Sequence, residues 1–278
     1  MTTSAPPKIA GRPFWKMTGS GNDFLFFDNR TGAHEDLVRS DVISALCDRR
    51  RGAGADGIVL IDTHPSRAFG MRYYNRDGSL AEMCGNAALC SASLARELGM
   101  AGVHDFSFET PSGPVTARFA GGEPEIDMVP VTELAISFET PLAPGEQRIG
   151  YARVGVPHLV VLCDDVTRVN VAERGRALRH LPQLAAGANA NFVSREAADR
   201  WRMRTYERGV EEETLACGTG TVATVALLNA WHAAEGGIAL RTVSGCDVFA
   251  SATPGRVPVL RGEGRIVYTG LLRDLVPG

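Results

Sequence analysis

Two cysteines of this 278-residue chain occupy matching local settings. Cys84 stands in Met83-Cys84-Gly85-Asn86 and Cys217 in Ala216-Cys217-Gly218-Thr219, 133 positions further on. Each precedes an apolar, alanine-rich segment, Ala87 to Leu98 and Thr221 to Ala234, that reads as a helix. A cysteine at that point faces free backbone N–H groups and the positive end of the helix, which stabilise a thiolate. The N–H groups of Gly85, Asn86, Gly218 and Thr219 could hold a carboxylate there. Two such sulfurs on opposite sides of one bound molecule would supply a base on one face and an acid on the other. Inverting a stereocentre by proton transfer needs that pair, and thiolate and thiol can exchange roles as the reaction reverses.

The elements around the cysteines repeat as well. Met71-Arg72-Tyr73-Tyr74-Asn75-Arg76 and Met203-Arg204-Thr205-Tyr206-Glu207-Arg208 share four of six positions at an offset of 132. Each hexapeptide leads through a polar, glycine-containing turn to its Cys-Gly pair, and the second turn carries one extra residue. Strand, turn, Cys-Gly and helix in the same order twice imply two similar halves. Gly121-Gly122-Glu123-Pro124-Glu125 is a plausible boundary. The expected division is a disordered tail over 1–13, a first half over 14–126 joined by 265–278, and a second half over 127–264. Within 265–278, Arg265 to Tyr268 reads as a strand returning to the first half.

Composition narrows the function classes. Hydrophobic residues make up 44% and the net charge is −3, so no basic field attracts nucleic acid or anionic lipid. The longest apolar run, Val222 to Ala234, is too short to span a bilayer, and the start of the chain does not read as a signal peptide. A soluble, cytoplasmic protein is expected. The six cysteines form no CxxC pair, and Cys47, Cys90, Cys163 and Cys246 read as inert, buried small hydrophobes. Only two lysines occur, Lys8 and Lys16, so a pyridoxal-phosphate Schiff base would have to rely on Lys16. Gly52-Ala53-Gly54-Ala55-Asp56-Gly57 matches GxGxxG, but it follows an expected helix, Asp41 to Arg50, and precedes an expected strand, Ile58 to Ile61. That order is the reverse of a dinucleotide fingerprint, so a structural loop is expected. The six histidines show no HxxxH spacing, and no metal site is expected.

Several separated motifs together resemble the diaminopimelate epimerase family, from about Phe14 to the C-terminus. They are Lys16 to Phe24; Asp48-Arg49-Arg50 with Gly54 to Gly57; Tyr74 to Ser79 and Glu82 to Asn86; Gly155-Val156-Pro157-His158; Asn189-Ala190-Asn191-Phe192; and Glu207-Arg208-Gly209 with Thr214 to Gly220. The resemblance implies an α/β (α+β) fold of two pseudo-symmetric domains. Each would be a curved, mostly antiparallel sheet wrapped around a central helix, with the active site in the cleft between them. It implies conversion of LL-2,6-diaminopimelate to the meso form for lysine and peptidoglycan synthesis, with neither cofactor nor metal, in a homodimer. Cys84 and Cys217 match the catalytic pair. Asn22, Asn75, Asn189, Glu207 and Arg208 match substrate-contacting positions, with Gly85-Asn86 and Gly218-Thr219 as backbone donors. His158 and Glu207 match positions that tune thiol pKa values.

Three features depart from the family pattern. Val156 stands where asparagine is common before Pro-His, Ala87-Ala88-Leu89 replaces Gly-Ala-Arg, and the spacer Val210 to Glu213 is one residue longer than the commonest one. Two alternatives stay open on the residues alone. One is a racemase of the same fold acting on histidine, proline or hydroxyproline. The other is a thiol redox or metal-binding protein using the same cysteines.

Overall fold

The computed structural model describes residues 9–197 and 200–274. They divide into two compact units. One takes the described residues up to Pro124 together with those from Glu263 onward, and the other takes Glu125–Gly262.

In the first unit the strands are β1 (Pro13–Gly19), β2 (Asn22–Asp28), β3 (Gly57–Asp62), β4 (Gly70–Asn75), β5 (Leu80–Ala81), β6 (Phe106–Thr110) and β7 (Gly113–Ala120). The helices are α1 (Ser40–Cys47) and α2 (Gly85–Glu97). β1 and β2 form a hairpin through Ser20 and Gly21, both at positive φ. β2 and β3 run parallel, β3 and β4 antiparallel, β4 and β6 parallel, and β6 and β7 antiparallel.

The second unit repeats this plan with β8 (Glu123–Asp127), β9 (Val131–Ala135), β10 (Glu146–Val154), β11 (Val156–Cys163), β12 (Asn189–Ala197), β13 (Arg200–Glu207), β14 (Glu212–Thr214), β15 (Ile238–Arg241), β16 (Asp247–Ser251) and β17 (Val259–Arg261). Its helices are α3 (Val171–Arg179) and α4 (Gly218–Ala230). β11 and β12 are parallel, and β12 and β13 antiparallel. The last strand, β18 (Arg265–Leu271), pairs with β1, as β9 pairs with β10.

The repeat holds residue by residue. Ile58 lies opposite Tyr74 in the first unit and Ala190 opposite Tyr206 in the second, at the same offset of 132. Phe24 pairs with Gly57 as His158 pairs with Asn189. Position 24 therefore corresponds to 158, position 22 to 156, and position 59 to 191.

Strand alternation sends successive side chains to opposite faces, and here both faces are covered. In β2 and β3, Leu25, Phe27, Ile58 and Leu60 pack with the α1 residues Val42, Ile43 and Leu46. Their neighbours Phe24, Phe26 and Val59 are just as buried but absent from that cluster. The second unit does the same, with Leu159, Val161, Ala190 and Phe192 packing beside Val171 and Leu178 of α3. α2 and α4 are buried nearly all round, as central helices must be. A small residue lets α4 come close to the sheet: a Cβ on Gly150 of β10 would meet Leu227 at 2.6 Å and the Trp231 ring at 2.9 Å.

Four expectations need correction. Met1 to Lys8 of the expected tail lie outside the described residues, but the tail does not extend to Pro13. Ile9 is buried in the α1 core, Gly11 N–H donates to Leu272 O at 2.9 Å, and Arg12 pairs with Asp36. α1 starts at Ser40 and stops at Cys47, short of Arg50, because Asp48 is extended and its carboxylate takes the N–H groups of Arg50 and Arg51 at 2.8 and 2.7 Å. α2 begins at Gly85, two residues before the expected start. α4 runs from Gly218 and ends at Ala230, before Ala234, because His232 turns to a φ of 56°. No helix among the described residues is long and apolar enough to cross a membrane.

Candidate active site

Cys84 and Cys217 occupy the N-cap positions of α2 and α4. Their φ/ψ values, −139°/114° and −130°/111°, are nearly the same. Both thiols are free of disulfides. Each carbonyl accepts the first intrahelical bond, from Ala88 N–H and from Thr221 N–H, both at 2.9 Å. The N–H groups of Gly85 and Asn86, and of Gly218 and Thr219, therefore lie in the first turns, where no intrahelical carbonyl reaches them. Cys217 is buried and its Sγ lies 3.6 Å from Thr219 Oγ1, whereas Cys84 is partly exposed. Other cysteines differ in kind. Burial pushes the Cys47 and Cys163 thiols up to about 12 and raises that of Cys90 well above the usual value.

Around Cys84 the first unit assembles a directed hydrogen-bond chain. Asp56 can only accept, so Asn22 turns its Nδ2 toward Asp56 Oδ2 at 3.0 Å, leaving its Oδ1 to accept from Asn86 Nδ2 at 2.6 Å. Asn86 is thereby fixed in the first turn of α2. Behind it Arg49 bridges Asp56 and Asp23, and Asp23 also pairs with Lys16 at 2.6 Å. The Lys16 ammonium is committed to Asp23 and the Gly54 carbonyl. Motifs that stand apart in the sequence thus join in the fold. The GxGxxG segment packs as a loop, where a Cβ on Gly52 would meet Ala45 O at 2.1 Å and one on Gly57 would meet Tyr74 O at 2.2 Å. Asn75 stands apart from the chain, its Nδ2 donating to Ser79 Oγ in the β4–β5 turn.

The second unit gathers four expected residues near one another. His158 and Asn189 are register neighbours, and Asn189 Oδ1 accepts the Arg208 backbone N–H at 2.7 Å. The Arg208 guanidinium donates to Ala186 O at 3.2 Å. Burial raises the Glu207 carboxyl above its ordinary value. Val156 occupies the position of Asn22, so the second unit has no side-chain amide there. Gly220 brings α4 against β12: a Cβ there would lie 2.3 Å from Asn191 Oδ1 and 3.2 Å from Cys217 Sγ. Gly220→Ala is therefore expected to lower stability by about 1–3 kcal/mol through overpacking. Denaturant unfolding checks this, and an unchanged midpoint and slope would show that Asn191 can yield.

His158 is fully buried. Burial first, and the nearby Arg208 second, lower its pKa to about 3. The unfolded ring takes up a proton as pH falls through about 6.5, while the folded ring stays neutral until near 3. Its contribution to stability is thus complete above pH 6.5 and lost as pH falls below it, by up to about 5 kcal/mol. The raised Glu207 carboxyl acts with the opposite sign, since its contribution fades as pH rises above its unfolded value. The useful quantity is therefore the stability of the wild type minus that of His158→Phe. That difference should shrink between pH 7 and pH 4, and a flat difference would contradict a neutral buried ring.

Among the described residues, no cluster of three or more His, Cys, Asp or Glu side chains could hold a metal ion. The diaminopimelate epimerase family model matches residues 14–132 and 150–265. A diaminopimelate epimerase of Gemmatimonas aurantiaca is 43% identical over 278 residues, covering 94% of this chain and 99% of that protein. The chain belongs to the diaminopimelate epimerase family. A diaminopimelate epimerase of Aquifex aeolicus is 40% identical over 222 residues, covering 76% of this chain and 78% of its own length. Solved structures share the fold at lower identity. A Bacillus anthracis phenazine biosynthesis protein of the PhzF family superposes with a TM-score of 0.70 at 13% identity, covering 95% of this chain and 99% of its own. A hydroxyproline epimerase from Agrobacterium vitis gives 0.64 at 18% identity, covering 95% and 93%. The two-repeat architecture expected from the sequence is that of this fold.

Proposed function

We propose that the protein interconverts LL- and meso-2,6-diaminopimelate without a cofactor, using Cys84 and Cys217 as the base and acid. The observation that carries this reading is the pair of thiols at equivalent helix N-caps of the two repeats, in a chain of this family. Each sulfur serves one face of the α-carbon to be inverted. That carbon's carboxylate is held by backbone N–H groups of a helix start, where the helix dipole favours negative charge. A thiolate removes the α-proton from one face as the opposite thiol delivers one to the other.

The far end of the substrate carries a second ammonium and a second carboxylate. Arg208 offers that carboxylate a bidentate grip, while Asn75 and Asn189 supply amide groups and Glu207 a carboxyl. Asn22 acts on Asn86, whose position in α2 it sets. The protein works as a cytoplasmic homodimer in lysine and peptidoglycan synthesis. Val267 and Leu271, which share a face of β18 and are 47% and 65% exposed, are apolar residues suited to such an interface.

The reading is tested by incubating the reduced protein with LL- and meso-diaminopimelate, L-histidine, L-proline and trans-4-hydroxy-L-proline, followed by chiral chromatography. The diaminopimelate isomers should interconvert and the others turn over far more slowly. Faster turnover of histidine or a proline would overturn the substrate assignment and leave a two-thiol racemase of another amino acid.

A further inference from the structure

His158, Asn191 and Thr205 form a fully buried polar triad on β11, β12 and β13. Asn191 Nδ2 lies 3.1 Å from Leu159 O and 3.2 Å from His158 Nδ1, and Asn191 Oδ1 accepts from Thr205 Oγ1 at 3.0 Å. The Leu159 carbonyl decides which way the amide points. A carbonyl oxygen only accepts, so the NH₂ group must face it, and the same NH₂ group then faces His158 Nδ1. Nδ1 is therefore the acceptor, and the ring proton sits on Nε2. Nε2 is buried with no hydrogen-bond partner.

The first unit shows that the fold does not require this triad. The corresponding positions there hold Phe24, Val59 and Tyr73, and the Phe24 and Tyr73 rings meet edge to face at 5.4 Å. The same strands thus pack with an apolar set in one repeat and a polar set in the other. The polar set also touches the site, because Asn191 Oδ1 and Cys217 Sγ both border the space that Gly220 leaves open.

We propose that Asn191 is a positioning residue for the epimerisation: its amide fixes His158 as the Nε2–H tautomer, so that the imidazole serves the reaction as a hydrogen-bond donor rather than as a base. This rests on the epimerase reading of the same site. The Nε2–H group waits for an anionic acceptor that arrives with the substrate. The neutral ring follows from its burial and from Arg208 beside it. Sequence comparison of the two repeats already marks Asn191, since it stands where the first repeat has valine.

The test uses protein labelled with ¹⁵N-histidine and long-range proton–nitrogen correlation. The His158 signals are assigned by their loss in His158→Phe, a side chain that the first repeat accommodates. The substrate-free wild type should show Nε2 protonated and Nδ1 bare, unchanged between about pH 8 and pH 5. In Asn191→Asp a carboxylate faces Nδ1, so the proton should move to Nδ1. Turnover of diaminopimelate by that variant should fall about tenfold to a hundredfold, with KM changed much less. A wild-type proton on Nδ1, an imidazolium at neutral pH, or full turnover in Asn191→Asp would overturn the proposal. Should Asn191→Asp fail to fold, the wild-type tautomer still decides. An inactive wild type would instead strike the epimerase reading, and the tautomer, read without substrate, separates the two failures.

Discussion

Replacing either Cys84 or Cys217 by alanine should lower turnover of diaminopimelate by at least about 10³-fold, the scale of a lost acid or base. Both losses should fall on kcat, because a thiol contributes little to holding the substrate. Cys47→Ala and Cys163→Ala should leave turnover largely intact. Those thiols are buried, and burial pushes both up to about 12, so neither supplies thiolate near neutral pH. Cys246→Ala should behave likewise, since Cys246 lies outside both repeats of the Cys-Gly motif. Steady-state kinetics on the five variants checks the pattern. Full activity in Cys84→Ala, or a Cys47→Ala protein as impaired as Cys217→Ala, would end the two-thiol account.

The second large effect concerns the far end of the substrate. Arg208→Ala should lower kcat/KM by about 10²–10³-fold, the equivalent of losing a charge-assisted bidentate pair. Its backbone is anchored through Asn189 at 2.7 Å, so the guanidinium projects from a fixed point. Val156→Ala should change kcat/KM by less than about threefold, since valine makes no hydrogen bond that could be lost. The comparison carries the weight of the substrate assignment. Comparable losses in the two variants would mean that Arg208 does not grip a second carboxylate.

Much of this site was legible in the sequence, and the reason is the duplication. Cys84 and Cys217 announce themselves because the same strand, turn and Cys-Gly pair recur at nearly one offset. The N-cap placement follows because the segments after them have helical composition. What stayed hidden depends on contacts across strands. Nothing local in the sequence says that Asp56 orients Asn22, which sets Asn86, because those three residues come from a loop, a hairpin and a helix. Asn191 was visible as part of a motif but carried no role, since its meaning lies in the register that puts it beside His158 and Thr205. Aligning the repeats strand by strand, rather than by the hexapeptide alone, exposes it as a polar residue opposite Val59. The ordered stretch from Ile9 to Pro13 was missed because one isoleucine among prolines and polar residues gives no periodic signal. Its burial depends on Leu272, more than 250 residues away.

The order of the two proton transfers offers the most direct test of the central claim. LL-diaminopimelate is incubated with the reduced protein in deuterated water, and substrate and product are separated at low conversion. A thiolate that takes the α-proton from one face cannot return it to the other, where a second, deuterated thiol delivers the label. The account predicts that newly formed meso-diaminopimelate carries one α-deuterium, while unreacted LL-diaminopimelate remains almost unlabelled. Meso product that retains the original α-proton would show that one group carries the proton across, and would contradict a base and an acid on opposite faces.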